Sequence, residues 1–249
     1  MELLKDKVAI ITGAAAGIGA GVAQLFSEQG AHVFISDIDE AGIKRKASAL
    51  QSSGGSVFPM TADVRSRNAM AAVVQDALSR FGRIDVLINN AGIYPRQPFL
   101  DMTESEWDKI QDTNLKSAFH CTQLVLPHMI KRRGGSIVNI SSVTFFLGMK
   151  NLTHYLATKG GIIGVTRGLA REVGEYNVRV NCITPGAIET EGELAVATRE
   201  QADSIIELQS LKRRMLPLDI ARVCLFLSTD LSSAMTGQTL NVDGGWVMY

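Results

Sequence analysis

The sequence predicts an α/β domain in which a seven-stranded parallel sheet is doubly wound, with helices on both faces. Short apolar runs alternate with helical segments of ten or more residues along the chain. Strands that alternate with helices in this way imply right-handed crossovers and parallel pairing. The 249 residues contain no linker or shift in composition, and one core can serve a chain of this length. We therefore expect a single domain over 1–249.

In the first half of the chain, each predicted element has a clear start and end. The run 7–12 is rich in Val and Ile and stops at Gly13, which predicts a strand, and the helical spacing of 17–29 stops at Gly30. The same alternation predicts strands at 31–36, 56–61 and 85–89, with helices at about 40–51 and 67–81 between them.

The second half continues the pattern after Pro98. The apolar spacing predicts a long helix at about 104–130, a strand at 136–141, a helix at 153–175 and a strand at 178–183. Pro217 opens a helix that continues to 227, because proline is favoured in the first turn, and 239–242 is the last strand. The stretch between these parts is the least regular, and we expect about 187–214 to form a helical flap over a site.

The composition excludes several classes of function. Hydrophobic residues make up 46% of the chain, and 25 basic residues balance 25 acidic ones, so nothing favours a nucleic-acid or membrane surface. The N-terminus lacks the basic-then-apolar layout of a secretory signal, which favours a cytoplasmic protein. Cys121, Cys182 and Cys224 have no metal-binding spacing, so neither disulfides nor a metal site are expected.

A glycine-rich turn between the first strand and the first helix predicts a dinucleotide site. Gly13, Gly17, Ile18 and Gly19 lie where a diphosphate can approach bare backbone, and the helix N-terminus adds partial positive charge. Asp37 follows the second strand, at a suitable distance for a carboxylate to accept hydrogen bonds from ribose hydroxyls. Such a carboxylate repels a 2′-phosphate, so we predict NAD rather than NADP. The alternative is that Asp37 is a turn residue or helix cap.

Two further segments follow predicted strands and fall on the same edge of the sheet. Asp63 and Val64 come after the third strand, where the carboxylate could meet the adenine edge, and Asn90, Ala91 and Gly92 come after the fourth. Ligands bind outside the carboxyl ends of strands in open α/β sheets. A plain strand-ending turn is the alternative for the second segment.

Tyr155 and Lys159 indicate an acid/base device. Their i, i+4 spacing places both on one helix face, where an ammonium can stabilise a phenolate. Ser142 lies thirteen residues before Tyr155, and only this offset favours it over Ser141. Taken alone, the Tyr and Lys could be an accident of spacing, but the dinucleotide signature is an independent observation.

Together these motifs resemble the short-chain dehydrogenase/reductase family, single-domain NAD-type members with a Rossmann-type fold, over essentially the whole chain. The resemblance implies that Tyr155 is the general acid/base and that Lys159 lowers its pKa and binds the nicotinamide ribose. It also implies that Ser142 polarises the substrate oxygen and that Asn114 holds a water in a proton relay. An ordinary buried amide is the alternative for Asn114.

The same resemblance assigns a segment after the sixth strand to the cofactor. Pro185 and Gly186 form the turn, and the Ile188 backbone and Thr190 hydroxyl are expected to hold the nicotinamide carboxamide. A simple turn is the ordinary interpretation of Pro-Gly.

Aromatic residues around the motifs suggest the substrate. Tyr94, Thr144, Phe146 and His154, together with Ser142, are expected to form its pocket. These segments are similar to members that oxidise aryl secondary alcohols such as 1-phenylethanol, and to pyridoxal 4-dehydrogenases. We therefore expect an alcohol dehydrogenase or carbonyl reductase that acts on a ring-bearing, moderately hydrophobic secondary alcohol or its ketone. The loop aromatics could instead pack against their own scaffold.

Two expectations concern assembly and the competing class of function. Ala157, Gly161, Gly164 and Gly168 form a smooth strip about 200° around the helix from Tyr155, and the family resemblance implies a homotetramer that uses this helix. A non-catalytic NAD-binding redox sensor or scaffold is the alternative, although it would not require the Ser, Tyr and Lys set.

Overall fold

The computed structural model describes residues 2–194 and 199–248 and confirms the predicted α/β class. All strand pairs are parallel, and the order in the sheet is β3-β2-β1-β4-β5-β6-β7. The strands are β1 (Val8–Thr12), β2 (His32–Asp37), β3 (Ser56–Thr61), β4 (Val86–Asn89), β5 (Gly135–Ile140), β6 (Val178–Pro185) and β7 (Thr239–Val242). Each lies within about two residues of its predicted range.

Helices cover both faces of this sheet. They are α1 (Gly17–Glu28), α2 (Glu40–Ser52), α3 (Arg67–Phe81), α4 (Glu104–Gln111), α5 (Ser117–Arg132), α6 (Thr144–Leu147), α7 (Thr153–Val173), α8 (Glu191–Leu194), α9 (Arg199–Leu208) and α10 (Pro217–Ser228). The expected flap contains α8 and α9, and its residues 195–198 lie outside the described part. None of the described helices is both long and apolar enough to cross a membrane.

Two apolar layers hold the helices on the sheet. On one face, buried residues of α1 and α10 such as Phe26 and Ile220 pack on the strands, and on the other face α3, α5 and α7 contribute residues such as Met70, Val125 and Val173. Because β1 is covered on both sides, all five of its residues are buried, as a central parallel strand requires.

The long helix predicted at 104–130 is interrupted. A π-helical turn at Asp112–Lys116 separates α4 from α5, and the apolar periodicity does not reveal it because both flanking segments are helical. Asn114 lies in this turn with its side chain buried. π-turns occur frequently at functional sites. The short α6 was also not predicted from the sequence.

Candidate active site

The candidate site lies at the carboxyl edge of the sheet, where the strand order reverses between β1 and β4. The loops after these two strands are tied together, because the Asn90 side-chain amide donates to the backbone oxygens of Thr12 and Gly13, both at 2.9 Å. A Cβ at Gly13 would come within 2.7 Å of Ala91 Cα. Gly13 also has φ of +65°, so both the close approach to Ala91 and the left-handed backbone favour glycine at this position.

The N-terminus of α1 has properties that suit a diphosphate. Its N-cap residue, Ala16, provides no side-chain acceptor among the described residues, and the first turn has no acidic residue. In contrast, α2, α3 and α4 are capped by Asp39, Ser66 and Thr103. The first N–H groups of α1 are therefore available to an external anion, and the residues fit the diphosphate of a dinucleotide.

Gly17, Ile18 and Gly19 form the first turn of α1. A Cβ at Gly19 would come within 2.2 Å of the Gly13 backbone oxygen, so Gly19 is needed for close packing inside the loop. Gly17 lies next to Thr190, whose methyl group would be 3.3 Å from an added Cβ. Ile18 is partly buried against the core. Contacts within the loop and with Thr190 therefore leave little room for side chains at Gly17 and Gly19.

The Asp37 carboxylate lies beside the glycine-rich loop at the end of β2. Its two oxygens accept hydrogen bonds from the backbone N–H groups of Ala15 and Asp39, both at 3.0 Å. An ionised carboxylate has about four acceptor positions, so it retains capacity for hydroxyl groups. No ion pair involves Asp37 in the parts of the chain that the structure covers.

Asp63 is engaged by a neighbour that the sequence analysis did not consider. The Arg65 guanidinium bonds to both of its carboxylate oxygens, at 2.6 to 3.1 Å. This hydrogen bonding lowers the pKa of Asp63. Val64 is buried in the core. A carboxylate held in this way still lies at the sheet edge, but part of its acceptor capacity is already used.

Tyr155, Ser142 and Lys159 come together on the edge formed by β5 and α7. The Ser142 hydroxyl lies beside the Tyr155 hydroxyl, close enough for its hydrogen-bonding influence to lower the pKa of Tyr155. The Lys159 ammonium lies 5.4 Å from the centroid of the Tyr155 ring and donates to the Ile140 backbone oxygen at 2.9 Å. The predicted i, i+4 geometry therefore places the cation behind the phenol, at the end of β5.

Burial dominates the ionisation of this pair. Burial raises the pKa of Tyr155, and the hydrogen bond from Ser142 opposes this shift. Burial also lowers the pKa of Lys159 to about 8. The depression of the Tyr155 pKa that we expected from Lys159 is not seen here, because in a poorly hydrated site each group favours its neutral form.

The structure distinguishes Ser142 from Ser141. The Ser141 hydroxyl is buried and donates to the Lys159 backbone oxygen at 2.8 Å, which anchors α7 to β5. Ser142 instead reaches Tyr155. The choice of Ser142 as the catalytic serine stays a prediction, and the anchoring role of Ser141 leaves Ser142 as the serine beside Tyr155.

Asn114 holds the loop that follows β4. Its side-chain oxygen accepts from the Ile93 backbone N–H at 2.8 Å, and its amide donates to the Ile93 oxygen at 2.9 Å. The amide also lies 3.4 Å from the Thr158 hydroxyl. A Cβ at Gly92 would be 3.3 Å from the Asn114 oxygen, so the loop and the π-turn are in close contact.

Comparisons with known proteins agree with this geometry. The family described as enoyl-(acyl carrier protein) reductase matches residues 13–247. The chain is 42% identical to a 3-oxoacyl-[acyl-carrier-protein] reductase of Thermotoga maritima, over 98% of this chain and 99% of that protein. The chain belongs to the short-chain dehydrogenase/reductase family. It is also 39% identical to a probable galactose dehydrogenase of Rhizobium meliloti, over 97% of this chain and 95% of that protein.

In this short-chain dehydrogenase/reductase, the segment after β6 completes the edge of the site. The Pro185 oxygen accepts from the Val143 N–H at 3.0 Å, which joins β6 to the segment carrying Ser142. A Cβ at Gly186 would come within 2.7 Å of the Asp243 Cβ. Ile188 is buried and forms a bridge with Met215, so Thr190 is directed back to the glycine-rich loop.

The predicted substrate residues separate into two groups. The Tyr94 ring meets the Tyr155 ring edge-on with centroids 4.8 Å apart, and Thr144 contacts Ser142. Phe146 is partly exposed beside Phe145. Tyr94 therefore lies beside Tyr155 and Thr144 beside Ser142, whereas Phe146 lies on the exposed side of α6.

His154 differs from these residues because it is fully buried, and its assignment to the substrate pocket stays a prediction. Its side chain is 0% exposed, and both ring nitrogens lack a hydrogen-bond partner within the described residues. Burial lowers the pKa of His154, while the Glu106 carboxylate opposes the shift. One residue before Tyr155 on α7, His154 faces about 100° away from it and contributes to packing.

A buried amide network beneath the site was missed from the sequence. The Asn89 amide donates to the Thr122 hydroxyl at 3.1 Å and to the Asn139 side-chain oxygen at 2.9 Å. The Asn139 amide in turn donates to the Thr166 hydroxyl at 3.0 Å. These bonds connect β4 and β5 to α5 and α7. Asn at strand interiors was the available signal, because amides rarely occupy such positions unless they are paired.

Proposed function

We propose that this protein is an NAD(H)-dependent oxidoreductase that interconverts a secondary alcohol and its ketone. The observation that carries the proposal is the proximity of Ser142 and Tyr155, with the Lys159 ammonium 5.4 Å from the centroid of the phenol ring. This set lies at the same sheet edge as the uncapped N-terminus of α1. A donor pair beside a dinucleotide site is suited to exchanging a proton with a carbonyl or alcohol oxygen.

The chain's own residues would control the proton and the position of the substrate. Tyr155 would donate its proton to the ketone oxygen in reduction and accept it in oxidation, and Ser142 would hold that oxygen. NAD supplies or accepts the hydride when it is bound. Because burial raises the Tyr155 pKa, the phenol keeps its proton at neutral pH. The protonated phenol is the form that donates to a ketone oxygen, and the phenolate is the form that accepts a proton from an alcohol.

We propose Asn114, Ser142, Tyr155 and Lys159 as the catalytic set. Asn114 supports the loop through Ile93, and the family resemblance adds a relay water near it. Lys159 is positioned to interact with the nicotinamide ribose. Besides Tyr155 and Lys159, the cofactor is expected to contact residues of the loops at the carboxyl edge of the sheet: Gly13, Gly17, Ile18, Gly19, Asp37, Asp63, Val64, Asn90, Ala91, Gly92, Pro185, Gly186, Ile188 and Thr190.

We infer that the substrate is ring-bearing and moderately hydrophobic, because aromatic side chains lie beside Tyr155 and near Ser142. Tyr94 offers an aromatic face beside Tyr155, and Phe146 leaves part of its ring exposed. Phe145 is different, because its ring lies where a Cβ at Gly160 would be, only 2.5 Å away, and therefore packs against α7. Aromatic rings near a reacting centre favour a substrate with an aryl or other apolar group.

A second candidate substrate class comes from the relatives. The proteins of Thermotoga maritima and Chlamydia muridarum, both 42% identical, are named 3-oxoacyl-[acyl-carrier-protein] reductases. A 3-oxoacyl group carries a ketone that becomes a secondary alcohol, so the same Ser142 and Tyr155 chemistry applies. The two candidate substrates differ in the groups attached to the reacting carbon, which are a ring in the first and an acyl chain with a thioester in the second.

Following nicotinamide absorbance with a substrate panel tests the proposal. The panel contains 1-phenylethanol and acetophenone, cyclohexanol, galactose and a 3-oxoacyl thioester, each with NAD(H) and NADP(H). We expect turnover with the aryl pair to exceed that with galactose. Preferred use of the thioester would support the second candidate instead. Tight NAD binding without turnover of any member would favour the non-catalytic redox sensor or scaffold.

Asp37→Ala should weaken NAD binding and relax the rejection of NADP. We expect the NAD dissociation constant to rise about 10- to 100-fold, because hydrogen bonds to a charged acceptor are lost, and NADP binding to improve. Calorimetric titration of both cofactors measures the change. Asp39→Asn is the matched control, because Asn also caps α2 and leaves Asp37 in place. Unchanged NAD/NADP selectivity in Asp37→Ala would overturn the assignment of the ribose site.

We propose that the protein assembles as a homotetramer through α5 and α7. Phe119 and Val165 are exposed on these helices, and a Cβ at Gly164 or Gly168 would meet no atom within 4 Å. Gly161 differs, because it packs against Leu115 of the same chain. Sedimentation should show a tetramer for the wild type and smaller species for Gly164→Glu, with the fold kept. An active wild-type monomer in dilute solution would refute this assembly.

A further inference from the structure

Thr144 contacts the Ser142 hydroxyl, and a role in lining the substrate pocket does not explain this contact. It opens α6, two residues after Ser142, and its side chain is buried rather than part of the open cleft wall. The intervening residue is fixed, because the Val143 N–H donates to the Pro185 oxygen at 3.0 Å. The backbone around Ser142 and Thr144 is therefore held by β6, and the two hydroxyls meet in a defined orientation.

Both acceptor positions of the Ser142 hydroxyl are occupied by Thr144. The Thr144 hydroxyl donates to Ser142 Oγ at 2.9 Å, and the Thr144 backbone N–H donates to the same oxygen at 3.2 Å. A hydroxyl oxygen offers two lone pairs and one proton. The Ser142 proton must therefore be donated elsewhere, and the Tyr155 hydroxyl is the neighbouring acceptor that the Ser142 hydroxyl influences.

The opposite orientation is less favourable. If Ser142 donated to Thr144, the Thr144 proton would need another acceptor, and the hydrogen bonds of residues 2–194 and 199–248 provide none for it. A buried donor without a partner costs free energy that a paired one does not. In addition, a hydroxyl that accepts a hydrogen bond becomes a stronger donor.

We propose that Thr144 is a positioning residue, whose hydroxyl orients the Ser142 proton toward the Tyr155 oxygen and the reacting substrate oxygen. Thr144 touches neither Tyr155 nor the substrate oxygen in this role and acts only through Ser142. The inference depends on the proposed alcohol–ketone chemistry. Within the described part of the chain, the Tyr155 side chain is flanked by Ser142 after β5, Tyr94 from the loop after β4 and Lys159 on α7.

A double-mutant cycle with Ser142 tests this role. Thr144→Val keeps the branched shape and removes the donor, and we expect kcat to fall about 3- to 10-fold, the effect of one lost hydrogen bond, with KM nearly unchanged. Thr144→Ser should restore kcat. In a Ser142→Ala background, Thr144→Val should have no further effect, because the group it orients is gone. Because Ser142 lowers the pKa of Tyr155, Thr144→Val should also shift the kcat pH profile to higher pH, and this shift should disappear in the Ser142→Ala background.

Controls separate this role from simple packing. Thr153→Val changes an exposed threonine at the start of α7 and should leave kcat unchanged. Thermal unfolding of Thr144→Val reports any general damage. If the losses from Ser142→Ala and Thr144→Val are additive, or if Thr144→Ser fails to rescue, the orienting role is wrong. Failure of the proposed function is seen separately, as absence of wild-type turnover with the whole panel.

Discussion

Tyr155→Phe should lower kcat about 10²- to 10⁴-fold with the best substrate of the panel, which is the usual contribution of a general acid or base. The phenyl ring can still make the edge-on contact with Tyr94, whose centroid lies 4.8 Å away. The fold and the NAD dissociation constant should therefore remain near their wild-type values. Stopped-flow measurement of the hydride step and fluorescence titration of NADH separate chemistry from binding.

Tyr176→Phe is the matched control for this variant. Tyr176 lies in the short helical turn Gly174–Tyr176, where its ring packs partly against the core, remote from Ser142. Removing its hydroxyl should change kcat by less than about twofold. If Tyr155→Phe retained more than a tenth of the wild-type kcat, proton transfer by Tyr155 would be excluded.

Lys159→Met should abolish turnover and yet stabilise the protein without cofactor at neutral pH. Burial lowers the Lys159 pKa from its ordinary value of 10.5 to about 8, so the folded state disfavours the charged amine. This shift corresponds to about 3 kcal/mol, from which the lost hydrogen bond to Ile140 subtracts about 1. We expect the free energy of unfolding of Lys159→Met to exceed that of the wild type by about 1 to 3 kcal/mol below pH 8.

The stability difference between Lys159→Met and the wild type should depend on pH. Between about pH 8 and 10.5, the unfolded wild type binds more protons at this lysine than the folded one, so wild-type stability rises with pH in that window. The advantage of Lys159→Met should therefore shrink over the same range. Urea unfolding at pH 7, 9 and 10.5 measures it, with Lys150→Met, at an exposed position, as control. Parallel stability curves for wild type and Lys159→Met would contradict a buried amine with a lowered pKa.

Much of the fold was predictable because the apolar runs and the glycine turns have local signatures. The strand ranges follow directly from the Val- and Ile-rich segments, and the position of Tyr155 and Lys159 on one helix face follows from their spacing. The glycine-rich loop was predictable for a similar reason, since Gly13 and Gly19 are required by contacts within a single strand–turn–helix unit.

Other features depend on contacts between distant segments and were not predictable. The burial of His154 depends on which face of α7 meets its neighbours, and the pairing of Asn89 with Asn139 depends on the register of β4 and β5. The ion pair of Asp63 with Arg65 was visible in the sequence as an i, i+2 pair, but its geometry was not. The raised pKa of Tyr155 required knowledge of how dry the site is.

The π-turn between α4 and α5 can be understood as a single added residue in an otherwise regular helix. Removing Thr113 would restore regular winding and keep α4 and α5 nearly in register, because the wide turn takes up one extra residue, but the turn that carries Asn114 would narrow. The Asn114 amide could not then bracket Ile93 from both sides, as it does at 2.8 and 2.9 Å. We therefore expect the chain with Thr113 deleted to fold and to stay helical, but to lose the fixed position of the loop after β4. The helix length at this point is then set by the need to hold this loop rather than by the stability of the fold.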